Sequence, residues 1–315
     1  MNIDFIKCTK ELGQDKLCFD GLIAYRNFKN GVVEYLKHGK FPIRIWHNSL
    51  KNTITVLANF AYYISRQNYD FPTTKLKETI QMVSEDLNIN LFDANVSTFE
   101  FQAIVPIDSR PSDLLRNHIR FEKARLHEFL GRSFEPTGKV HVDKNFKLKL
   151  YDVVANFKSK LDLPTRREIT RLYGFDEAKH YIKVEMHYNK PLNHFGLERL
   201  VLEDLLKPGF QATCKQDLIC HYGKIQKMGN FLPPASKSEL NSATIPWTLL
   251  LEYTNLDAID LIGLTKAKLR CYPELLNADD FKARVKQAKI NLNKVTRPGS
   301  SPYDLTEKLY AQQIQ

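Results

Sequence analysis

The stretch FKLKLY at residues 146–151 alternates apolar and polar side chains, and FEFQAIV at 99–105 and YIKVEMH at 181–187 alternate in the same way. Because a β-strand points successive side chains to opposite faces, this period of two predicts three strands, each with one apolar and one polar face. If the strands are neighbours in one sheet, their apolar faces pack on a common core. Their polar side chains then meet on the other face.

The polar face of the three predicted strands would carry groups suited to phosphodiester chemistry. It would collect Glu100, Gln102, Lys147, Lys149, Tyr151, Lys183, Glu185 and His187. Carboxylates bind divalent metals, a tyrosine can act as a nucleophile, and lysines offset the charge of a phosphodiester. This combination indicates cleavage of a DNA strand.

Each of these groups also has a purely structural interpretation. Tyr151 could end a strand with its hydroxyl in water, and Glu100 and Glu185 could be exposed sheet residues paired with Lys149 or Lys183. In the catalytic interpretation the two glutamates share one Mg²⁺ or Mn²⁺, and His187 is a further ligand or a proton shuttle. A free phenol has a pKa of about 10, so we expect nearby cations or the metal to favour the phenolate of Tyr151.

The net charge of the chain is typical of a nucleic-acid partner. Lysine and arginine number 46 against 36 aspartates and glutamates, which gives +10, although clustering matters more than the total. One cluster without acidic residues, Lys282, Arg284, Lys286, Lys289, Lys294 and Arg297, lies near the C-terminus. It is either a solvated helix face or a phosphate-binding one.

Several other classes of protein lack support in the sequence. It contains no apolar run of about 18 residues and no basic segment followed by an apolar stretch at the start, so we expect no membrane span and a cytoplasmic location. No His-x-His pair, nucleotide-binding loop, serine-hydrolase elbow or dinucleotide fingerprint is present. The five cysteines include no Cys-x-x-Cys pair, which argues against a zinc ribbon.

The remaining patterns predict an α+β fold: a largely antiparallel sheet with covering helices, followed by a helical C-terminal part. Partial alternation predicts strands at 2–7, 31–36, 42–46 and 53–57, which would form an antiparallel meander. Apolar residues at helical spacing predict a helix between 72 and 87. We therefore predict an α+β nicking-closing domain over 1–195 and a helical DNA-binding or accessory region over 196–315.

The order of these motifs resembles the replication initiators of filamentous phages and the related rolling-circle replication proteins of plasmids and phages. The resemblance is carried by Phe-Glu-Phe at 99–101, Lys-Leu-Lys-Leu-Tyr-Asp at 147–152, Ile-Lys-Val-Glu at 182–185 and Leu-Glu-Asp-Leu-Leu at 202–206. It covers roughly residues 95–207. Members of that family place a lysine shortly after the tyrosine, whereas here Val153 stands two residues on, so a cation that steadies the phosphate must come from Lys147, Lys149 or Lys183.

The resemblance implies that Tyr151 nicks the replication origin and stays linked to the 5′ phosphate, and that Glu100 and Glu185 match the acidic residues of the family. The implied activity is that of a metal-dependent nicking-closing endonuclease with Mg²⁺ or Mn²⁺ as cofactor. The implied partners are single- and double-stranded origin DNA, a host helicase and a host polymerase, in the cytoplasm of a bacterial cell.

Two other functions remain open from the sequence. The chain could be a non-catalytic protein that binds or marks an origin, which predicts salt-sensitive DNA binding without a covalent adduct. It could also be a structural or interaction protein whose basic charge serves only solubility, which predicts no retention of DNA even at low salt.

Overall fold

The fold was analysed in a computed structural model, which describes most of the chain up to residue 227 and little of it beyond. The described residues are 2–28, 30–37, 43–65, 72–121, 125–130, 136–173, 175–227, 286 and 304–312. The predicted basic cluster between residues 282 and 297 therefore lies outside them, except for Lys286. Among the described residues, no helix is both long and apolar enough to cross a membrane.

A ten-stranded antiparallel sheet is the centre of the structure. Its strands in chain order are β1 (Asn2–Glu11), β2 (Leu22–Asn27), β3 (Val32–Lys37), β4 (Ile43–Asn48), β5 (Thr53–Asn59), β6 (Asn95–Ile107), β8 (Arg125–Leu130), β9 (Pro136–Val142), β10 (Phe146–Asp152) and β11 (His180–Tyr188). They are ordered β2-β3-β4-β5-β1-β6-β11-β10-β9-β8. The short strands β7 (His118–Phe121) and β12 (Ile225–Lys227) form a separate pair.

Helices cover both faces of the sheet. They are α1 (Phe60–Ser65), α2 (Thr73–Leu87), α3 (Pro111–Asn117), α4 (Val153–Lys160), α5 (Leu163–Tyr173), α6 (Pro191–Phe195), a 3-10 helix (Leu202–Leu206), α7 (Pro208–Gly223) and α8 (Thr306–Ala311). The predicted α+β class with a largely antiparallel sheet is thus confirmed. Of the four strands predicted to form a meander, β3, β4 and β5 are successive neighbours and β1 pairs with β5, while the helix predicted between residues 72 and 87 is α2.

The three alternating stretches are adjacent strands, in the order β6-β11-β10. Their apolar side chains, such as Phe101, Leu148 and Val184, are fully buried on one face. Because α2 and α7 contribute Ile80, Leu218 and other apolar residues to the same cluster, this face forms the main core. The opposite face carries the polar residues, and α4 and α5 pack over its end through a smaller apolar cluster.

The described residues beyond 195 belong to the main core. Leu202, Leu218 and Tyr222 are buried against the sheet, and Leu309 of α8 joins them. The backbone amide of Leu305 donates a hydrogen bond of 2.8 Å to the Tyr222 hydroxyl. The division into a domain over 1–195 and a helical region over 196–315 stays a prediction, because most of the second range lies outside the described residues.

Strands β2, β8 and β9 were not predicted. β9 contains Pro136 and Gly138 and carries Lys139 and His141 on its core face, a composition that hides the pattern of a strand. Lys139 is fully buried, because its ammonium group donates to the His118 carbonyl at 2.9 Å and lies 3.3 Å from Glu128 Oε1. The two pairings thus allow a cation to replace an apolar side chain in the core.

The buried histidine of β9 predicts a loss of stability in acid. Burial, followed by the charge of Lys139, lowers the pKa of His141 to about 4 from an ordinary value of 6.5. The unfolded chain therefore binds a proton that the folded chain does not, so stability present above pH 6.5 is lost as the pH falls from 6.5 towards 4. Leucine cannot bind a proton, so we expect His141→Leu to lose about 3 kcal/mol less stability than the wild type between pH 6.5 and pH 4. Urea unfolding at these two pH values measures the difference. An unchanged pH dependence would contradict the assignment.

Candidate functional site

The pairing of β10, β11 and β6 brings the predicted polar residues onto one face. Tyr151 lies opposite Lys183 and Lys149 opposite Glu185 in the β10–β11 ladder. His187 lies opposite Glu100 in the β11–β6 ladder. Because directly opposed residues in an antiparallel pair share a face, the predicted catalytic and metal-binding residues are neighbours in space.

Lys149 joins the two predicted metal ligands. Its ammonium group donates to Glu100 Oε1 at 2.6 Å and to Glu185 Oε1 at 2.5 Å. The Lys149 side chain is 24% exposed, compared with 12% for Glu100 and 3% for Glu185. The glutamates thus pair with a lysine, as the structural interpretation expects, but Glu185 is buried and Glu100 is largely so, rather than exposed.

Lys183 forms a second bridge that includes Asp4, a residue that the sequence analysis missed. Its ammonium group lies 2.8 Å from Asp4 Oδ2 and 2.9 Å from Glu185 Oε2, and all three side chains are 3% exposed. Lys183 was predicted to offset phosphate charge, but its position, buried between two carboxylates, gives it a structural role as their counter-ion.

Asp4 reaches the site because β1 contains a bulge. Ile3 lies opposite Phe101 of β6, and Ile6 lies opposite Phe99. Between these two pairs β1 advances by three residues and β6 by two, so β1 contains one extra residue. Asp4 and Phe5 thus both lie on the polar face, where Asp4 meets Lys183 and the Phe5 ring lies 5.9 Å from the His187 ring. The available signal was a lone carboxylate within the apolar stretch at residues 3–6.

Tyr151 stands at the end of β10, where Asp152 starts helix α4. The Asp152 side chain accepts a hydrogen bond of 3.0 Å from the Ala155 amide and caps the helix. The Tyr151 hydroxyl donates to Glu185 Oε2 at 3.2 Å, and the Lys183 ammonium group lies 5.5 Å from the centre of the ring.

Of the two expected sources of a phenolate, nearby cations or a metal, the first is wrong: the lysines around Tyr151 do not lower its pKa below the ordinary value. Burial, followed by the negative charge of Glu185, raises the pKa of Tyr151 well above 10, and Lys183 opposes this only in part. Lys149 and Lys183 are both bound to carboxylates, so neither outweighs the effect of burial. Tyr151 is therefore a neutral phenol until the charge around it changes.

The carboxylates of the site have contrasting proton affinities. Burial alone would raise the pKa of Glu185, but Lys183 and Lys149 outweigh it and hold that pKa well below its ordinary range. Burial raises the pKa of Asp4, because Lys183 offsets it incompletely and Glu100 and Glu185 add negative charge. Glu185 thus stays ionised at neutral pH, and Asp4 is the carboxylate that binds a proton more readily.

The group of carboxylates that could hold a metal ion is Asp4, Glu100 and Glu185, whose nearest oxygens all lie within 4.8 Å of one another. Oxygen donors of this kind fit Mg²⁺ or Mn²⁺. With all three acids ionised, Lys149 and Lys183 neutralise two of the three negative charges, so the cluster can still attract a cation. The donor set therefore fits the implied metal, with Asp4 as an unpredicted third member.

His187 contacts this group through one member. Its Nδ1 lies 2.6 Å from Glu100 Oε1, the same oxygen that accepts from Lys149. The ring thus fixes the orientation of the Glu100 carboxylate. This is the usual position of a group that orients a metal ligand, one step removed from the predicted role of His187 as a ligand.

An open groove of about 1900 Å³ borders the site and is lined by Tyr151, Glu100 and Glu185. Cations outside the carboxylate cluster also line it, namely Arg110, Lys147, Lys158, Lys160 and Lys179. Lys147 is half-buried and the other four side chains are exposed. Arg166 of α5 pairs with Glu177, which also lines the groove, at 2.7 Å.

Gly138 of β9 leaves room for Tyr151. A Cβ atom at this position would lie 3.0 Å from Tyr151 Cβ and 3.3 Å from the Leu150 carbonyl oxygen. We expect Gly138→Ala to lower the free energy of unfolding by about 1–3 kcal/mol through overpacking, as measured by urea denaturation. Gly209→Ala is the matched control, because a Cβ there meets nothing within 4 Å. Equal free energies of unfolding for the two variants would contradict the expected steric clash between the added Cβ atom and Tyr151.

Comparison with known proteins gave no matching protein-family model and no matching curated protein. The geometry of this face of the sheet, together with the motifs that compose it, is therefore the basis for assigning a function.

Proposed function

We propose that the protein is a DNA nicking and closing enzyme in which Tyr151 is the nucleophile. The observation that carries the proposal is the position of Tyr151 at the border of a groove, with its hydroxyl 3.2 Å from Glu185 in a cluster of three carboxylates and two lysines. A phenol, a set of oxygen ligands and a cation-lined groove are the parts that a metal-assisted phosphoryl transfer to tyrosine requires.

The proposed reaction exchanges one phosphodiester for another. The Tyr151 oxygen forms a bond to phosphorus, the bond from phosphorus to the 3′ oxygen breaks, and the protein becomes linked to the 5′ phosphate. The phenol loses a proton and the 3′ oxygen gains one, leaving a 3′ hydroxyl. Because the link retains the energy of a phosphodiester, attack by a 3′ hydroxyl reverses the reaction without ATP.

The chain's own residues hold the proton and the charges of this reaction. Glu185 accepts the hydrogen bond of the Tyr151 hydroxyl and so orients the phenol. Lys183, which lies 2.9 Å from Glu185 Oε2 and 2.8 Å from Asp4 Oδ2, balances the charge of the carboxylates beside the phenol. When bound by Asp4, Glu100 and Glu185, a divalent cation supplies the positive charge that stabilises a phenolate and a leaving oxygen.

The groove is suited to a DNA strand. Lys158, Lys160 and Lys179 are exposed along it and can approach backbone phosphates, whereas Lys149 and Lys183 are engaged by carboxylates. In the light of the motif order shared with phage and plasmid initiators, we propose rolling-circle replication as the process. The 3′ hydroxyl released by Tyr151 would then prime a host polymerase, with a host helicase opening the duplex.

The proposal is tested with a randomised single-stranded DNA library, because the recognised sequence need not be known. The wild-type protein is incubated with the library and Mn²⁺, denatured in detergent and separated from unbound DNA. We expect a covalent adduct that retains a label on the 3′ end of the DNA and loses one on the 5′ end. Mass spectrometry of the digested adduct should find the nucleotide on Tyr151.

The second candidate is a non-catalytic DNA-binding protein. Two observations favour it: the carboxylates are paired with lysines, and the raised pKa of Tyr151 keeps its hydroxyl protonated and therefore a poor nucleophile. Salt-sensitive retention of the library without any covalent adduct, in Mg²⁺ as well as Mn²⁺, would support this candidate and overturn the catalytic one. No retention even at low salt would exclude both.

A further inference from the structure

A second cluster of metal-binding side chains lies on the core-facing side of the sheet, opposite the face of Tyr151. It consists of His194 of α6 and of Asp217 and His221, which are one turn apart on α7. Two aromatic residues of the core face, Phe146 of β10 and Tyr188 of β11, lie next to it and are paired in register. The proposed nicking reaction uses none of these residues.

The cluster already has nearly the spacing that a tetrahedral ion requires. His194 Nε2 lies 3.0 Å from Asp217 Oδ2, and His221 Nδ1 lies 3.2 Å from Asp217 Oδ1 and 2.9 Å from the Asp217 backbone carbonyl oxygen, which the ion would displace as its partner. One ligand atom from each residue can be chosen so that all lie within 4.8 Å of one another. Bonds of about 2.0–2.1 Å to a tetrahedral ion require separations of roughly 3.3–3.5 Å between ligand atoms, so small side-chain rotations suffice.

The donor set selects a different class of metal from that of the carboxylate cluster. Two imidazoles and one carboxylate suit Zn²⁺, Co²⁺ or Ni²⁺, whereas Mg²⁺ prefers oxygen ligands alone. The side chains of His194, Asp217 and His221 are 10%, 18% and 13% exposed, so each retains some access to water. A water molecule can thus supply a fourth ligand, as in sites with three protein ligands.

Neighbouring groups hold the three side chains in place. The Tyr188 hydroxyl donates to Asp217 Oδ2 at 2.9 Å, which fixes the carboxylate in the manner of an outer-shell partner. The Phe146 ring packs edge-on against both imidazoles, with ring centres 5.3 Å from His194 and 4.5 Å from His221. The ligands are therefore oriented before any ion binds.

We propose that His194, Asp217 and His221 bind one Zn²⁺-class ion, with water as the fourth ligand, and that the ion fastens helix α6 to helix α7. On binding, the metal replaces the hydrogens on His194 Nε2 and His221 Nδ1. Each neutral ring keeps one proton on its other nitrogen, and a ring that was protonated releases one proton to solvent.

The proposal is tested by titrating the protein with Co²⁺ and recording visible absorption, in the presence of excess Mg²⁺ to saturate the carboxylate cluster. We expect one Co²⁺ per chain with the intense bands of a tetrahedral site. The variant His194→Gln/His221→Asn removes both imidazole ligands. Its side-chain amide nitrogens can still donate the hydrogen bonds that the ring nitrogens make to Asp217. We expect it to weaken Co²⁺ binding at least about tenfold.

His47→Ala is the matched control, because His47 lies on β4 and belongs to neither cluster, so its loss should leave Co²⁺ binding unchanged. Zn²⁺ at a hundredfold excess over its dissociation constant should also raise the unfolding temperature of the wild type by roughly 5 °C, and that of the double variant less. Absence of tetrahedral bands in the wild type, or equal binding by wild type and double variant, would overturn the proposal. Single variants replace the double one if it fails to fold.

Discussion

Tyr151→Phe is expected to abolish the covalent adduct and to lower the rate of DNA nicking by a factor on the order of 10⁴ or more, because the substitution removes the atom that bonds to phosphorus. The site offers no substitute at that position: Lys149 and Lys183 are charged and bound to carboxylates. The measurement compares nicking of the library-selected sequence, carried on a supercoiled plasmid, by wild type and variant in Mn²⁺.

The stability of this variant makes the result interpretable. Tyr151 loses a single hydrogen bond of 3.2 Å, so the free energy of unfolding should change by no more than about 1 kcal/mol. Tyr25→Phe is the control, because Tyr25 is exposed on the edge strand β2 and is remote from the groove. Equal nicking by Tyr151→Phe and wild type would remove Tyr151 from the mechanism.

The sequence predicted the face of the site, because side-chain alternation is a local property of each strand. Glu100, Lys149 and Glu185 each follow the period of two, and the apolar residues between them require a core on the other side. The order of the strands was not predictable in this way. Only the register of Lys149 with Glu185 in the ladder shows that a lysine on one strand faces a carboxylate on the next.

Two parts of the site depend on features that a linear pattern cannot contain. Asp4 contacts Lys183 across 179 positions of sequence, and only the bulge in β1 turns it to the polar face. Gly138 belongs to a strand whose proline, glycine and buried lysine disguise it. Both features arise from tertiary contacts, which override local propensity.

The proton affinity of Tyr151 was not predictable from the sequence either. Lysines close to Tyr151 in the sequence suggested a lowered pKa, yet burial and Glu185 raise it. A lysine lowers the pKa of a neighbouring phenol less when its charge is already balanced by a carboxylate. Lys149 and Lys183 are both paired with carboxylates in this way. The pairing therefore decides whether a lysine activates the phenol or merely balances the acids.

Lys183→Met is expected to lower the free energy of unfolding by about 3–5 kcal/mol at neutral pH, because it leaves the buried carboxylates of Asp4 and Glu185 without their shared counter-ion. The methionine fills a similar volume, so packing contributes little to the loss. Mg²⁺ or Mn²⁺ should stabilise the variant more than the wild type, since a bound cation can take the place of the missing ammonium charge. Urea unfolding with and without the metal measures both effects.

The pH dependence of the same variant separates loss of charge balance from general damage. In the wild type, Glu185 has a lowered pKa, so its contribution to stability is present above the ordinary pKa of 4.5 and is lost as the pH falls below that value. Without Lys183 the pKa of Asp4, already raised by burial, rises further, while Glu185 keeps its ion pair with Lys149; protonation of Asp4 in acid then relieves the variant. The stability gap between wild type and variant should therefore narrow as the pH falls towards about 4 to 5.

The double variant Asp4→Asn/Lys183→Met tests the cause directly. It removes one of the two carboxylates that Lys183 bridges and keeps the shape of the side chain, so it should be more stable than Lys183→Met alone, even though it carries one more substitution. Its response to Mg²⁺ should also be weaker, because Asp4 is one of the three carboxylates that would hold the ion. A double variant no more stable than Lys183→Met, with the same response to metal, would contradict both the role of Lys183 as counter-ion and that of Asp4 as a metal ligand.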